Sequence, residues 1–173
     1  MKNIFISGIH GVGKTTLAKE LSKKLELQHY ACSSLINNYI DKTDENKRVT
    51  NIQENQRVLI NAYKNLASEH TIILDGHVTL LDDDGNPTPI KSSVFRELDI
   101  GVFVLVVDDV DEILERLQLR DNLKWNVRYI KEMKSCEKKT IEMISRELNI
   151  ELIEYKFDSD IDKLALYLKE FFC

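Results

Sequence analysis

Gly8-Ile9-His10-Gly11-Val12-Gly13-Lys14-Thr15 is the stretch that decides how the rest of this chain is read. It satisfies G-x-x-x-x-G-K-[ST] at every position, and its flanks are those the pattern requires. Upstream, Asn3-Ile4-Phe5-Ile6-Ser7 is a short apolar run cut by glycine, which suits a strand buried in a parallel sheet. Downstream, Leu17, Leu21 and Leu25 share one helical face, with Lys19, Lys23 and Lys24 largely outside it. Between strand and helix, glycines let the backbone turn tightly, so that successive N–H groups converge at the positive end of the helix dipole and make a nest for phosphate oxygens. Residues Gly8, Gly11, Val12, Gly13 and Thr16 are thus expected to frame the phosphates of ATP or a close relative. Lys14 would add a full positive charge at the β and γ phosphates, and the Thr15 hydroxyl would ligate Mg²⁺. His10 either touches phosphate or is a filler of which only the backbone matters.

Working outward, Gln28 to Ala31 reads as a second strand, followed by Ser33 or Ser34 as cap of a helix through roughly Ile40. Asp41 to Arg48 is charged and loop-like. Ile52, Val58, Leu59, Ala62 and Leu66 suggest a helix, and Thr71-Ile72-Ile73-Leu74 a buried strand ending in Asp75-Gly76. Asp82 to Pro87 is a strong turn signal, predicting a small hairpin with Val78-Leu81. Ile100 to Val107 is the clearest strand. Asp109 or Asp111 can cap a helix bearing Ile113, Leu114 and Leu117. Val127, Ile130, Met133, Ile141, Ile144 and Leu148 mark a long amphipathic helix. A strand at Glu151 to Tyr155 then precedes a helix with Ile161, Leu164, Leu168 and Phe171 turned inward. This alternation predicts an α/β, doubly wound, three-layer domain around a mainly parallel five-stranded sheet. No repeat or linker interrupts it, so 1–173 is expected to be one domain, as monomer or dimer.

The composition narrows the functional classes. With 43% hydrophobic and 31% charged residues, the chain is of the ordinary soluble type. Its longest apolar run, Val102 to Val107, is too short to span a bilayer, and the N-terminal residues lack the features of a signal peptide, so a cytoplasmic location is expected. Cys32, Cys136 and Cys173 are scattered and without a CxxC spacing, as free thiols would be. A net charge of −5 offers no overall field to a nucleic-acid backbone, leaving only a local basic stripe as a footprint for one. Such a stripe exists at Lys124, Arg128, Lys131, Lys134 and Lys138, where a solvated helix face is the simpler reading.

Two further groups carry chemistry. Asp75 ends an apolar strand, as in a Walker B segment, where a carboxylate reaches the Mg²⁺ shell or orients an attacking group. A parallel sheet would set it on the same carboxyl edge as Gly8. His77, two residues on, either meets an acceptor or caps the hairpin. Arg116 and Arg120 stand four apart on one helix face, so both can address one anion, and guanidinium groups suit the charge that spreads over a transferring phosphoryl group. The alternative for Arg116 is an ion pair with Glu112. No N-K-x-D occurs; Asn122-Leu123-Lys124-Trp125 lacks the Asp, which disfavours a GTPase switch.

The loop His10 to Thr16, the strand ending Asp75-Gly76-His77 and the Arg116–Arg120 segment together resemble small P-loop kinases of the adenylate-kinase type, especially the compact archaeal and nuclear forms. The resemblance implies γ-phosphoryl transfer from ATP, with Mg²⁺, to a nucleoside monophosphate, with a lid at about 116–128 and roles for Lys14, Thr15, Asp75, His77 and Arg120. It also implies an acceptor side at about 32–50, where Ser33-Ser34 stands in place of the family's usual Gly-Asp, and the hairpin at about 77–90 departs as well. The expected activity is therefore an ATP- and Mg²⁺-dependent phosphotransferase acting on a small molecule, a nucleotide or nucleoside, with Ser33, Ser34 and His77 facing the acceptor. A phosphate acceptor needs no base, whereas a hydroxyl acceptor would use Asp75. The rivals are a non-kinase ATPase working with a protein or RNA partner, and a kinase of polynucleotide ends.

Overall fold

The computed structural model describes residues 2–43, 52–66, 70–82, 84–121 and 125–172. Among the described residues the elements run in the order β1 (Asn3–Ser7), α1 (Lys14–Leu25), β2 (His29–Ala31), α2 (Cys32–Thr43), α3 (Ile52–Lys64), β3 (Ile73–Gly76), β4 (Thr79–Leu81), β5 (Pro87–Pro89), α4 (Ser92–Glu97), β6 (Ile100–Val107), α5 (Val110–Asp121), α6 (Val127–Leu148), β7 (Glu151–Lys156) and α7 (Ile161–Phe172). Five strands form one parallel sheet in the order β2-β3-β1-β6-β7, and β4 and β5 pair antiparallel as the expected hairpin. The doubly wound α/β domain predicted from the alternation is the fold observed.

The central strands β1, β3 and β6 bury both faces because they carry apolar residues at both phases of the pleat. Ile4 and Ile6 of β1, with Val102, Val104 and Val106 of β6, point to one side and pack on Leu17, Ala18 and Leu21 of α1, on α5 and on α7. Phe5, Leu74, Phe103 and Leu105 point to the other and pack on α2, α3, α4 and the second half of α6. On that second face Phe5, Phe95 and Phe103 meet edge to face, with centroids 5.1, 5.4 and 5.9 Å apart, each pair adding about 0.5–1.5 kcal/mol to its burial. Phe95 comes from α4, a six-residue helix too short to show a helical period in the sequence.

Several boundaries and contacts differ from the sequence reading. Ser33 and Ser34 lie inside the first turn of α2, which starts at Cys32, so neither is its cap. β3 takes in Asp75 and Gly76 and begins at Ile73. Phe171 is 39% exposed, and its neighbour Phe172 packs on the core in its place, one residue being 100° of helical rotation. Val127, read as an apolar-face residue, is exposed because it opens α6 before the helix meets the sheet. The basic stripe is largely engaged: Arg128 pairs with Glu132, Lys138 with Glu154, and Lys134 donates to the Asp108 carbonyl. Lys124, Cys173 and most of the charged segment 41–48 lie outside the described residues.

What the fold does for the site is a matter of register. Ile6 aligns with Asp75 and Ser7 with Gly76, while Ser7 also aligns with Leu105. The turns after β1, β3 and β6 therefore leave the sheet on one edge, where ligands of open α/β sheets gather.

Candidate functional site

The loop after β1 is held from below. Ile9 and Val12 are buried in the core, and between them the backbone bends with Gly11 at φ +78° and Gly13 at φ +98°. Those two glycines cannot be replaced without strain. A Cβ at Gly13 would come within 2.2 Å of the Phe157 ring, and one at Gly11 within 2.5 Å of Leu117 Cγ. Gly13 then opens α1 with no capping side chain, and the first turn of that helix carries no acidic residue. Its free N–H groups thus lack the partner that a capped helix supplies internally, which is the condition for anion binding.

Lys14, Thr15, Asp75, His77 and Arg120, together with His10 and Ser33, line one cavity of about 470 Å³ beside this helix start. Thr16 is exposed and Ser34, also exposed, is not part of the lining. Burial lowers the Lys14 ammonium from its ordinary pKa, while Asp75 and Glu137 counter the shift. The His10 and His77 rings stand 4.3 Å apart. Burial pushes His77 down to about 2, with Lys14 and His10 adding to the shift, so the ring is neutral at neutral pH. The His10 ring is lowered too, first by burial and then by Lys14 and Arg120, although the residue keeps contact with solvent. Arg120 is exposed and grips Asp121 through two hydrogen bonds of 2.6 and 2.8 Å.

Arg116 goes elsewhere. Its guanidinium donates to the Gly11 carbonyl at 3.0 Å, pairs with Asp108 and lies 4.6 Å over the Phe157 ring. The pair with Glu112 considered from the sequence gives way to Asp108, which the β6 edge delivers beside the loop. Arg116 and Arg120 share a helix face yet serve different partners.

Two residues of the site escaped the sequence reading. His29 on β2 meets Asp75 with Nε2 and Oδ2 2.8 Å apart, the histidine half-buried and the carboxylate buried. A carboxylate accepts, so the imidazole donates. Their juxtaposition comes from strand pairing across 46 residues of chain, for which no local pattern exists. Glu137 is 1% exposed and accepts hydrogen bonds from Ser7 Oγ at 2.6 Å and from the Val78 and Thr79 amides at 3.0 Å each. Burial raises its carboxyl pKa, and those three donors oppose the shift. Here a signal was present: Glu137 occupies the same stripe of α6 as Ile130, Met133, Ile141 and Ile144, and a carboxylate on an apolar face needs a buried partner. Cys32 also borders the cavity, with its thiol pushed up to about 12 by burial, which leaves it inert.

The oxygen donors on hand, the Thr15 hydroxyl and the Asp75 carboxylate, fit Mg²⁺, which takes one or two protein ligands and completes its shell with phosphate and water. Among the described residues no group of three or more His, Cys, Asp or Glu side chains is gathered to hold a metal by itself, and no described helix is long and apolar enough to cross a membrane.

Comparison with known proteins agrees with this geometry. Residues 7–137 match the family model described as an AAA domain. Adenylate kinase from two strains of Staphylococcus epidermidis is 27% identical over 125 residues, 66% of this chain and 57% of that protein, so the chain spans under two thirds of the length of these relatives. Among solved structures, a gluconokinase from Sinorhizobium meliloti 1021 superposes with a TM-score of 0.55 at 15% identity, over 95% of this chain and 87% of that one. A suspected kinase from Chloroflexus aurantiacus j-10-fl gives 0.56 at 16% identity, over 98% and 97%. At such identities these likenesses establish the fold alone. With its intact phosphate loop, its five-stranded parallel sheet and the match over residues 7–137, the chain belongs to the AAA domain family.

Proposed function

We propose that the protein transfers the γ-phosphoryl group of ATP, with Mg²⁺, to a nucleoside monophosphate or a nucleoside. One observation carries this reading: the uncapped start of α1 opens directly onto a cavity of about 470 Å³, room for a second small molecule beyond the phosphates. A bare ATPase needs only space for water there.

Each residue has a task in this reading. The amides of Gly11, Gly13 and Lys14 and the Lys14 ammonium hold the donor phosphates and offset their charge, in a site where burial makes every such interaction stronger than in water. Thr15 would hold Mg²⁺, which supplies further neutralisation of the phosphates, and Asp75 would reach the ion only through the water of its shell. Arg120 releases Asp121 and turns onto the transferring group, while Arg116 acts through the loop, bracing the Gly11 carbonyl. His10, Ser33 and His77 border the acceptor, uncharged in the case of His77. Catalysis on these terms is positioning and charge stabilisation.

The test is incubation with labelled ATP and a panel of nucleosides, nucleoside monophosphates and sugars. Label in any acceptor supports the reading. If label appears only as inorganic phosphate and no acceptor accelerates ADP release, the ATPase reading replaces it.

A further inference from the structure

The wall of the cavity away from the phosphate loop differs in character from the loop itself. Phe5, Phe95, Ile36, Leu59, Val94 and Leu80 make it apolar and in part aromatic, which suits a flat ring and is poorly matched to a polyol that is polar on every face. Three carboxamides, Asn37, Asn55 and Gln56, are set into that wall. Gln56 is only 8% exposed, Asn55 is half-buried and Asn37 is open to solvent. A carboxamide donates and accepts side by side, the arrangement that pairs with the edge of a nucleobase.

The charges are distributed just as unevenly. Among the described residues the only lysine and arginine of the lining are Lys14 and Arg120, both at the donor end. Arg57 on α3 and Arg96 on α4, the helices that wall the far end, are exposed and outside the lining. His77 is neutral. Among the described residues of this wall an acceptor phosphate would find no guanidinium or ammonium partner of the kind a doubly charged group requires, and it would stand beside the Asp75 carboxylate. Asp75 is instead what a hydroxyl acceptor needs, since an alcohol must lose its proton as it attacks.

We propose that the acceptor is an uncharged nucleoside, phosphorylated on a hydroxyl with Asp75 as general base and His29 holding that base in place, and that nucleoside monophosphates are not acceptors. This deepens the phosphotransfer reading and rests on it. A lone pair of the nucleoside hydroxyl forms the new O–P bond at the γ-phosphorus while the bond to the β–γ bridging oxygen breaks. The departing electron pair leaves with ADP, and the hydroxyl proton passes to the second oxygen of Asp75 and on to solvent. His29 touches neither substrate; its Nε2–H fixes Oδ2 at 2.8 Å and so aims the other oxygen. It is a positioning residue.

The experiment has three arms on the full chain. With MgATP and the common ribo- and deoxyribonucleosides or their 5′-monophosphates, chromatography should find a nucleoside monophosphate made from at least one nucleoside and no diphosphate made from any monophosphate. Calorimetry without ATP should show that nucleoside binding at least about tenfold tighter than its 5′-monophosphate. His29→Ala should lower kcat at least about tenfold with the acceptor KM within about twofold, and His29→Gln, whose amide can still donate, should recover part of it. Conversion of a monophosphate to a diphosphate overturns this proposal and leaves phosphotransfer standing, whereas no product from any acceptor overturns both. Tighter binding of the monophosphate overturns the substrate assignment. Unchanged kcat in a folded His29→Ala, or no recovery in His29→Gln, overturns the role of His29; if the alanine variant fails to fold, the glutamine variant and the binding arm still decide.

Discussion

The two ends of the cavity are built on opposite principles. The proposed donor end is a contiguous run, Gly8 to Thr15, whose main-chain amides open from the uncapped start of α1 while side chains such as Ile9 and Val12 anchor the loop. The acceptor end is a mosaic: Phe5 from β1, Ile36 and Asn37 from α2, Gln56 and Leu59 from α3, and Phe95 from α4, each contributing a side chain and none a pattern. Main-chain recognition imposes glycine at fixed spacings and so writes a motif, whereas side-chain recognition imposes only local chemistry at positions far apart in the chain. The first can be read without a structure, and the second cannot.

Replacement of Lys14 by Ala attacks the donor end at the ammonium of its phosphate loop. It should reduce turnover by at least about a thousandfold, equivalent to about 4 kcal/mol, and abolish measurable MgATP binding in a protein that still folds. Calorimetry finding the wild-type MgATP affinity would break the contrast at its root. Arg120→Ala comes next, with a loss of about a hundredfold in kcat, about 3 kcal/mol, and little change in KM for ATP, because Arg120 is drawn to charge that grows in the transition state. Steady-state kinetics with wild-type kcat would return Arg120 to its surface pair with Asp121.

A smaller effect separates the ends by pH. His77 titrates at about 2 in the folded protein against an ordinary 6.5. Between those values the unfolded chain binds a proton that the native one refuses, so stability is full above pH 6.5 and falls as the pH drops below it, by at most about 1.4 kcal/mol per unit. Urea unfolding at pH 7 and pH 5 should show wild type losing about 1–2 kcal/mol more than His77→Gln; equal losses would mean that the ring is protonated in the native state. The mildest change is Gln56→Ala, which should raise the acceptor KM by about tenfold while MgATP affinity stays within about twofold. Equal weakening of both ligands would erase the boundary between the two ends.

How much of this was legible follows from the same distinction. The strand–loop–helix order, the parallel sheet and the position of Asp75 on its carboxyl edge could be read because each leaves a local period or motif. His29 could not, because its bond to Asp75 is created by strand pairing. Arg116 was visible as one of two arginines four apart, but nothing local distinguishes the one that braces Gly11 from the one that borders the cavity. Ser34 resembled an acceptor contact until α2 turned it outward from a first turn that begins at Cys32.

The strand order has a kinetic corollary. β1, which feeds the phosphate loop, sits in the middle of the sheet with β3 and β6 on either side, whereas β2 is a three-residue edge strand bonded to β3 alone. Segments with few interstrand bonds exchange their amide hydrogens through small local openings, and central ones only when the whole domain comes apart. The His29 and Tyr30 amides should therefore exchange long before those of Ile4 to Ile6. On the proposed function, the chain can open its acceptor wall, reshape it and close again while the central loop keeps its hold on the nucleotide.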